Sequence, residues 1–247
     1  MGLQVHSTDM VLILSMVLAA NSWASTIRGF DKPAKEERGI LGESELTKGK
    51  VKIYCADVGR FMLVEINDPG LKGARDIWLR KKMGDVMPAC NDSDTGVIRL
   101  DGAAQYGYLA GIKGGFAFVM SADGSSGFMG VRVYSLLDGV LVYDHDFDST
   151  VPAVLTTAGK TTVMRFHIEI HTRCQPTGAE ASSCWKEIRA GAVIPESVKI
   201  TPPPCDALLK TNPDMLGALV AVPVEIDLSS PKKPKFIDGA ATCTVPE

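Results

Sequence analysis

From Val51 onward, apolar residues come in short runs rich in Val, Ile, Tyr and Phe, cut at close intervals by Gly, Pro, Asp and Asn. Runs this short fit strands and are too brief for stable helices, so this texture constrains the fold more than any other feature. Candidate strands fall at 51–55, 60–66, 76–80, 97–100, 105–112, 115–121, 130–136, 140–147, 162–172, 192–194, 197–201 and 217–228. No segment keeps helical periodicity for three turns, and only 205–211 offers a single one. The chain reads as all-β and mostly antiparallel, either propeller-like or a β-sandwich.

The clearest local unit is a hairpin from Val131 to Tyr143, turning at Asp138-Gly139, where glycine supplies the positive φ of a tight connection. Apolar residues on both faces of its second strand predict burial on both sides. With the strand at Phe116 to Ser121, the stretch Gln105 to Phe147 has the length of one four-stranded propeller blade, although no second copy recurs at a fixed spacing. In the last long strand Val220, Val222, Val224, Ile226 and Leu228 point one way, and Ala221, Pro223, Glu225 and Asp227 the other. Pro223 has no N–H to donate, which predicts a sheet edge or a bulge there.

Six cysteines, Cys55, Cys90, Cys174, Cys184, Cys205 and Cys243, follow an apolar run from Met10 to Ala20. That run suits the core of a signal peptide but is far short of the roughly 20 residues of a membrane span. Ser22 and Ala24 flank Trp23 in a small-x-small pattern, placing cleavage after Ala24, although the residues before the run lack the usual Lys or Arg. Export predicts a periplasmic or secreted protein with disulfides rather than free thiols. The turn-rich loop between Cys174 and Cys184 suggests one pair, whose closure contributes about 2–3 kcal/mol. Nearest-neighbour pairing then joins Cys55 to Cys90 and Cys205 to Cys243. The close cysteine spacings of zinc knuckles and of redox C-x-x-C motifs are missing.

The segment 25–50 is dense in charges of both signs, holds Pro33 and several glycines, and reads as a solvated arm or linker. The expected organisation is a signal peptide over 1–24, this arm, and one β-rich domain over 51–247. A formal net charge of −3 argues against nucleic acid as partner, which needs a concentrated basic face. Nothing beyond the export signal is long and apolar enough for a spanning helix, so no integral membrane protein is expected after its removal.

The best chemical constellation is Phe166-His167-Ile168-Glu169-Ile170-His171, which on a strand puts His167, Glu169 and His171 on one face. Two neighbours could chelate a divalent metal, the one cofactor these residues suggest. All three could not, because the outer pair is about 13 Å apart. Arg165 and Arg173 share that face and disfavour a cation. Asp144, Asp146 and Asp148 form a second cluster that begins like a calcium loop, but Ser149 and Leu155 stand where Gly and Glu are needed. The stretch Asn91 to Gly96 departs from that loop pattern similarly.

Other motifs dissolve on inspection. Ala158-Gly159-Lys160-Thr161 imitates a phosphate loop, but Val154 replaces the leading Gly and a strand follows. Gly124-Ser125-Ser126-Gly127 is no nucleophile elbow. Arg80-Lys81-Lys82 reads as a solvated strand end, and Trp185 as packing beside Cys184. The expected role is that of a noncatalytic binding or structural module of the cell envelope. The alternative is an extracytoplasmic metal-binding protein or hydrolase using His167, Glu169 and His171, with Asp144 and Asp146 if the fold joins those strands.

Overall fold

The computed structural model describes residues 26–103, 107–121, 128–170, 174–211, 219–231 and 233–244; the expected signal peptide lies outside them. After β1 (Ile27–Arg28), a first sheet runs as a meander through β2 (Glu36–Glu43), β3 (Lys50–Asp57), β4 (Phe61–Asn67), β5 (Asp76–Lys81) and β6 (Val97–Arg99). A second antiparallel meander holds β7 (Gly107–Lys113), β8 (Phe116–Ser121), β9 (Phe128–Ser135) and β10 (Leu141–Asp148). It corresponds to the unit expected over Gln105 to Phe147. The chain continues through β11 (Ala153–Ala158), β12 (Thr161–Ile170), α1 (Ala181–Gly191), β13 (Ile200–Thr201), α2 (Cys205–Thr211), β14 (Leu219–Asp227), β15 (Lys235–Phe236), β16 (Gly239–Ala240) and β17 (Thr242–Thr244). The third sheet orders β1, β11, β12 and β14, with both β15 and β17 along the far side of β14, while β13 and β16 form a small parallel pair.

The described chain is thus all-β and mostly antiparallel, with three sheets packed face to face. On one side of the second sheet, Ala117, Val119 and Tyr134 meet Phe61, Leu63, Ile77 and Leu79 of the first. On its other side, Phe118, Met120, Val131 and Val133 meet Leu155, Met164, Phe166, Val224 and Ile226 of the third. Burial on both faces explains why β8 and β9 read as nearly continuous apolar runs. The outer face of the first sheet is closed by the segment 82–96, over Ile53, Met62, Val64 and Trp78. Beyond the second sheet, the third packs Val220 and Val222 against Cys184, Trp185 and Ile188 of α1.

The disulfides pair as nearest neighbours in sequence: Cys55–Cys90, Cys174–Cys184 and Cys205–Cys243. They fasten the segment 82–96 to β3, the chain after β12 to α1, and α2 to β17. Pro223 explains the split between β15 and β17. Its carbonyl, facing that side of β14, accepts from Ile237 N–H at 3.1 Å, and its missing donor coincides with the gap between the two short strands. The expected edge or bulge is therefore an interruption in the neighbouring strand.

Several expectations are corrected. The segment 25–50 holds β1 and β2 rather than a solvated arm. Most β2 side chains are exposed, so its strand character comes from pairing with β3 and leaves little trace in hydropathy. Helix α1 spans three turns where none was expected, because only Cys184, Trp185 and Ile188 mark its buried stripe. Residues 192–194 follow that helix as a turn instead of forming a strand. Strand β10 is the edge of the second sheet, so Val140 and Leu141 are exposed instead of buried.

Candidate functional site

Strands β10 and β12 do meet, but through Tyr143, Phe147, Met164 and Phe166. Side-chain alternation turns Asp144 and Asp146 away from that contact on one side, and His167 and Glu169 away on the other. The fold therefore does not bring the two clusters together. His167 Nε2–H donates to the Ala240 carbonyl at 3.0 Å, which occupies that nitrogen. Asp144 pairs with Arg132 across the ladder at 3.5 Å. His171 lies outside the described residues, and among them no three His, Cys, Asp or Glu side chains converge as metal ligands.

Asp148 is fully buried, accepting from Thr150 N–H at 2.9 Å, Thr150 Oγ1–H at 2.6 Å and Thr242 Oγ1–H at 2.7 Å. It pins the end of β10 to β17. The stretch Ala158 to Thr161 closes the β11–β12 hairpin, and Trp185 packs beside Cys184. Gly124 to Gly127 lie outside the described residues.

Of the basic step after Trp78, only Lys81 is solvated. Arg80 is buried, and its guanidinium donates to the carbonyls of Ala89, Asn91 and Ser93 and to Asn91 Oδ1. Lys82 Nζ pairs with Asp57 at 2.6 Å, both side chains being largely covered. The loop from Asn91, which departs from the calcium pattern, nevertheless turns oxygens on a cation, the Arg80 guanidinium. Its fold-back across the sheet, fixed at Cys90, is a tertiary feature that local charge spacing does not announce.

A different region has the shape of a binding site. A cleft of about 800 Å³ opens where the first sheet extends past the edge of the second, between β2–β4 and β7. Ladder register arranges its floor as two rows of cross-strand neighbours: Arg38, Tyr54 and Glu65, then Ile40, Lys52 and Asn67. Tyr108 to Gly111 of β7 form the opposing wall. The lining contains one carboxylate and no His, Cys, Ser or Asp side chain.

Glu65 anchors this site. It interrupts the apolar run Phe61 to Ile66, is 7% exposed, and accepts the Leu109 N–H at 2.8 Å. Burial pushes its carboxyl pKa up, against the opposing pull of the Leu109 N–H, the Asn67 amide and the Arg38 charge. The Arg38 guanidinium lies 5.2 Å from the centre of the Tyr54 ring. The Tyr54 hydroxyl donates to Glu36 at 3.0 Å, and burial, reinforced by Glu36, raises it to about 12.

Glu65 also belongs to the closure of an edge strand. Along β7, the Gly107 carbonyl accepts from Ala74 N–H, Leu109 N–H donates to Glu65, and the Ile112 carbonyl accepts from Asp31 N–H. These bonds engage backbone groups that would otherwise invite another strand. The lone carboxylate inside an apolar run was the available sequence signal, because a buried charge needs partners. Arg38 was hidden in the supposed arm. No protein family model, curated protein or solved structure matches this chain.

Proposed function

We propose that this chain is an exported, periplasmic or secreted, noncatalytic binding module of the cell envelope, and that it binds its ligand in the cleft beside β7. The observation that carries the reading is the composition of that cleft. Cations, tyrosines and an amide surround one carboxylate already bonded to a main-chain N–H, the lining holds no His, Cys, Ser or Asp side chain, and the hydroxyl of Tyr54, bonded to Glu36, is held well above the usual range for a phenol. Such a lining recognises a ligand by shape, stacking and hydrogen bonding. Three disulfides, with every described cysteine paired, support an oxidising compartment. No helix among the described residues is long and apolar enough to cross a membrane.

Two measurements test the proposal. N-terminal sequencing of the natural product should find a start after Ala24; a mature chain beginning at Met1 contradicts export. Ligand-observed NMR against a small-molecule library should find compounds that bind the native protein and lose contact in Tyr54→Ala. A library in which no compound distinguishes the two proteins removes the cleft reading.

A further inference from the structure

The cleft presents two cations outside any direct ion pair, although the Arg38 charge also acts on the buried Glu65. Four cations on or beside the strands face carboxylates: Lys35 with Glu37, Arg99 with Asp76, Arg132 with Asp144 and Arg165 with Glu225. Arg38 and Lys52 are exposed on the cleft floor, and neither forms an ion pair among the described residues. They are diagonal neighbours in adjacent rows, on adjoining strands. Glu36 lies on the same face of β2 and accepts the Tyr54 hydroxyl. Glu65, at the buried end of its row of the floor, is bonded to Leu109 N–H. An anionic group entering the cleft would meet two cations before any free carboxylate.

A second, independent feature is an unsatisfied acceptor. Asn67 Oδ1 is buried and has no hydrogen-bond partner, while the amide side of Asn67 serves Glu65. Asn67 lines the cleft, and a turn of its side chain would offer this acceptor to an entering donor. With Lys52 directly across the ladder, a neutral hydroxyl suits the position better than a second cation. The third feature is aromatic: Tyr54 and Tyr108 line the same space, and with Arg38 over one face of the Tyr54 ring, its other face and the Tyr108 ring are the surfaces on which a flat C–H surface would stack.

Anion, hydroxyl donor and stackable ring together describe a polyhydroxylated carboxylate. We infer that the cleft binds acidic sugar, with the carboxylate of a uronic acid unit held by Arg38 and Lys52, a ring hydroxyl donating to Asn67 Oδ1, and the sugar face against Tyr54. The cleft volume of about 800 Å³ is within the range of small-ligand sites. This inference rests on the binding reading above and specifies its ligand.

The test titrates the isotopically labelled mature chain with a uronic acid disaccharide, its neutral counterpart of the same linkage, and free glutamate, following backbone amides by NMR. The acidic disaccharide should shift amides of 38–40, 52–54, 65–67 and 108–111. Its affinity should fall by about ten-fold or more in Arg38→Gln/Lys52→Gln, and the neutral sugar should bind at least as weakly as that variant binds the acid. Because both side chains are exposed, thermal melting of the variant should match the native protein and confirm its folding.

Equal binding of the neutral sugar, undiminished binding by the variant, or shifts confined to another surface each overturn the inference. Tighter binding of glutamate does so as well, replacing an acidic sugar with a zwitterion. If neither sugar binds while a library compound shifts these amides, the ligand class fails and the binding cleft stands. If nothing shifts them, both fail.

Discussion

Glu65 shows how one side chain can serve both packing and recognition. An apolar residue at this position would continue the run from Phe61 to Ile66, but would leave the Leu109 N–H at the sheet edge without its acceptor. The carboxyl meets that need at the cost of burial, which raises its pKa above the ordinary value near 4.5. A raised folded-state pKa means that the folded chain holds this proton more firmly than the unfolded chain. The stability contribution is complete below the unfolded value and is lost as pH rises through the folded one. Glu65→Gln keeps an oxygen for Leu109 N–H but does not titrate. Thermal melts from about pH 4 to about pH 8 should show the variant gaining on the native protein as pH rises. A gap independent of pH would mean that burial does not penalise the Glu65 carboxylate.

At the level of elements, legibility followed burial and local pairing. Strands β3, β4, β8 and β9 carry apolar side chains that face a core and are joined to neighbours by short connections, so hydropathy and turn residues mark them. Strands β2, β15 and β16 are short or exposed, and nothing in their composition separates them from loops. Strand β11 has alternating burial, but Thr156, Thr157 and Ala158 give it a weak apolar face. Of these missed elements the cleft draws on β2 alone. Its residues come from β2, β3, β4, β7 and, through Met120, β8, and only the ladder register and the offset between two sheets make them neighbours.

The crosslinks act on the same scale, and their loop lengths order their effects. Cys174–Cys184 spans 10 residues, whereas Cys55–Cys90 spans 35 and Cys205–Cys243 spans 38. Chain entropy gives about 3 kcal/mol for the shortest loop and about 4 kcal/mol for each of the longer two. Paired Cys→Ala variants, compared by denaturant midpoint at equal slope, should therefore place Cys174→Ala/Cys184→Ala as the mildest. The Cys55→Ala/Cys90→Ala pair should also release the segment that surrounds Arg80, seen as faster exchange of amides from 89 to 93. If that double variant is the mildest of the three, loop closure does not govern how these bridges stabilise the fold.

Across the whole molecule, the second sheet is the structural centre because both of its faces are covered by other sheets. The short strap from Thr26 to Asp31 joins it to the third sheet. Thr26 accepts from Ala153 N–H at 2.8 Å, Ile27 inserts into the shared core, and the Phe30 ring meets Phe118 edge-on at 5.6 Å. At the other end, Asp31 accepts from Lys113 Nζ at 2.7 Å and Gly114 N–H at 2.8 Å. Burial raises the Asp31 carboxyl pKa, but these donors outweigh it and leave the value below the usual range. Native-state hydrogen exchange should consequently be slowest in β8 and β9, and faster in β2 and β10 at the exposed edges. Ile27→Ala removes buried volume where the strap enters, and should cost about 3 kcal/mol. Its effect should reach β11 and the inner strands of the second sheet before β3 and β4, because those lie on the far side of the stack. Slower exchange in β3 and β4 than in β8 and β9 would place the stability centre in the first sheet and reduce the strap to a peripheral contact.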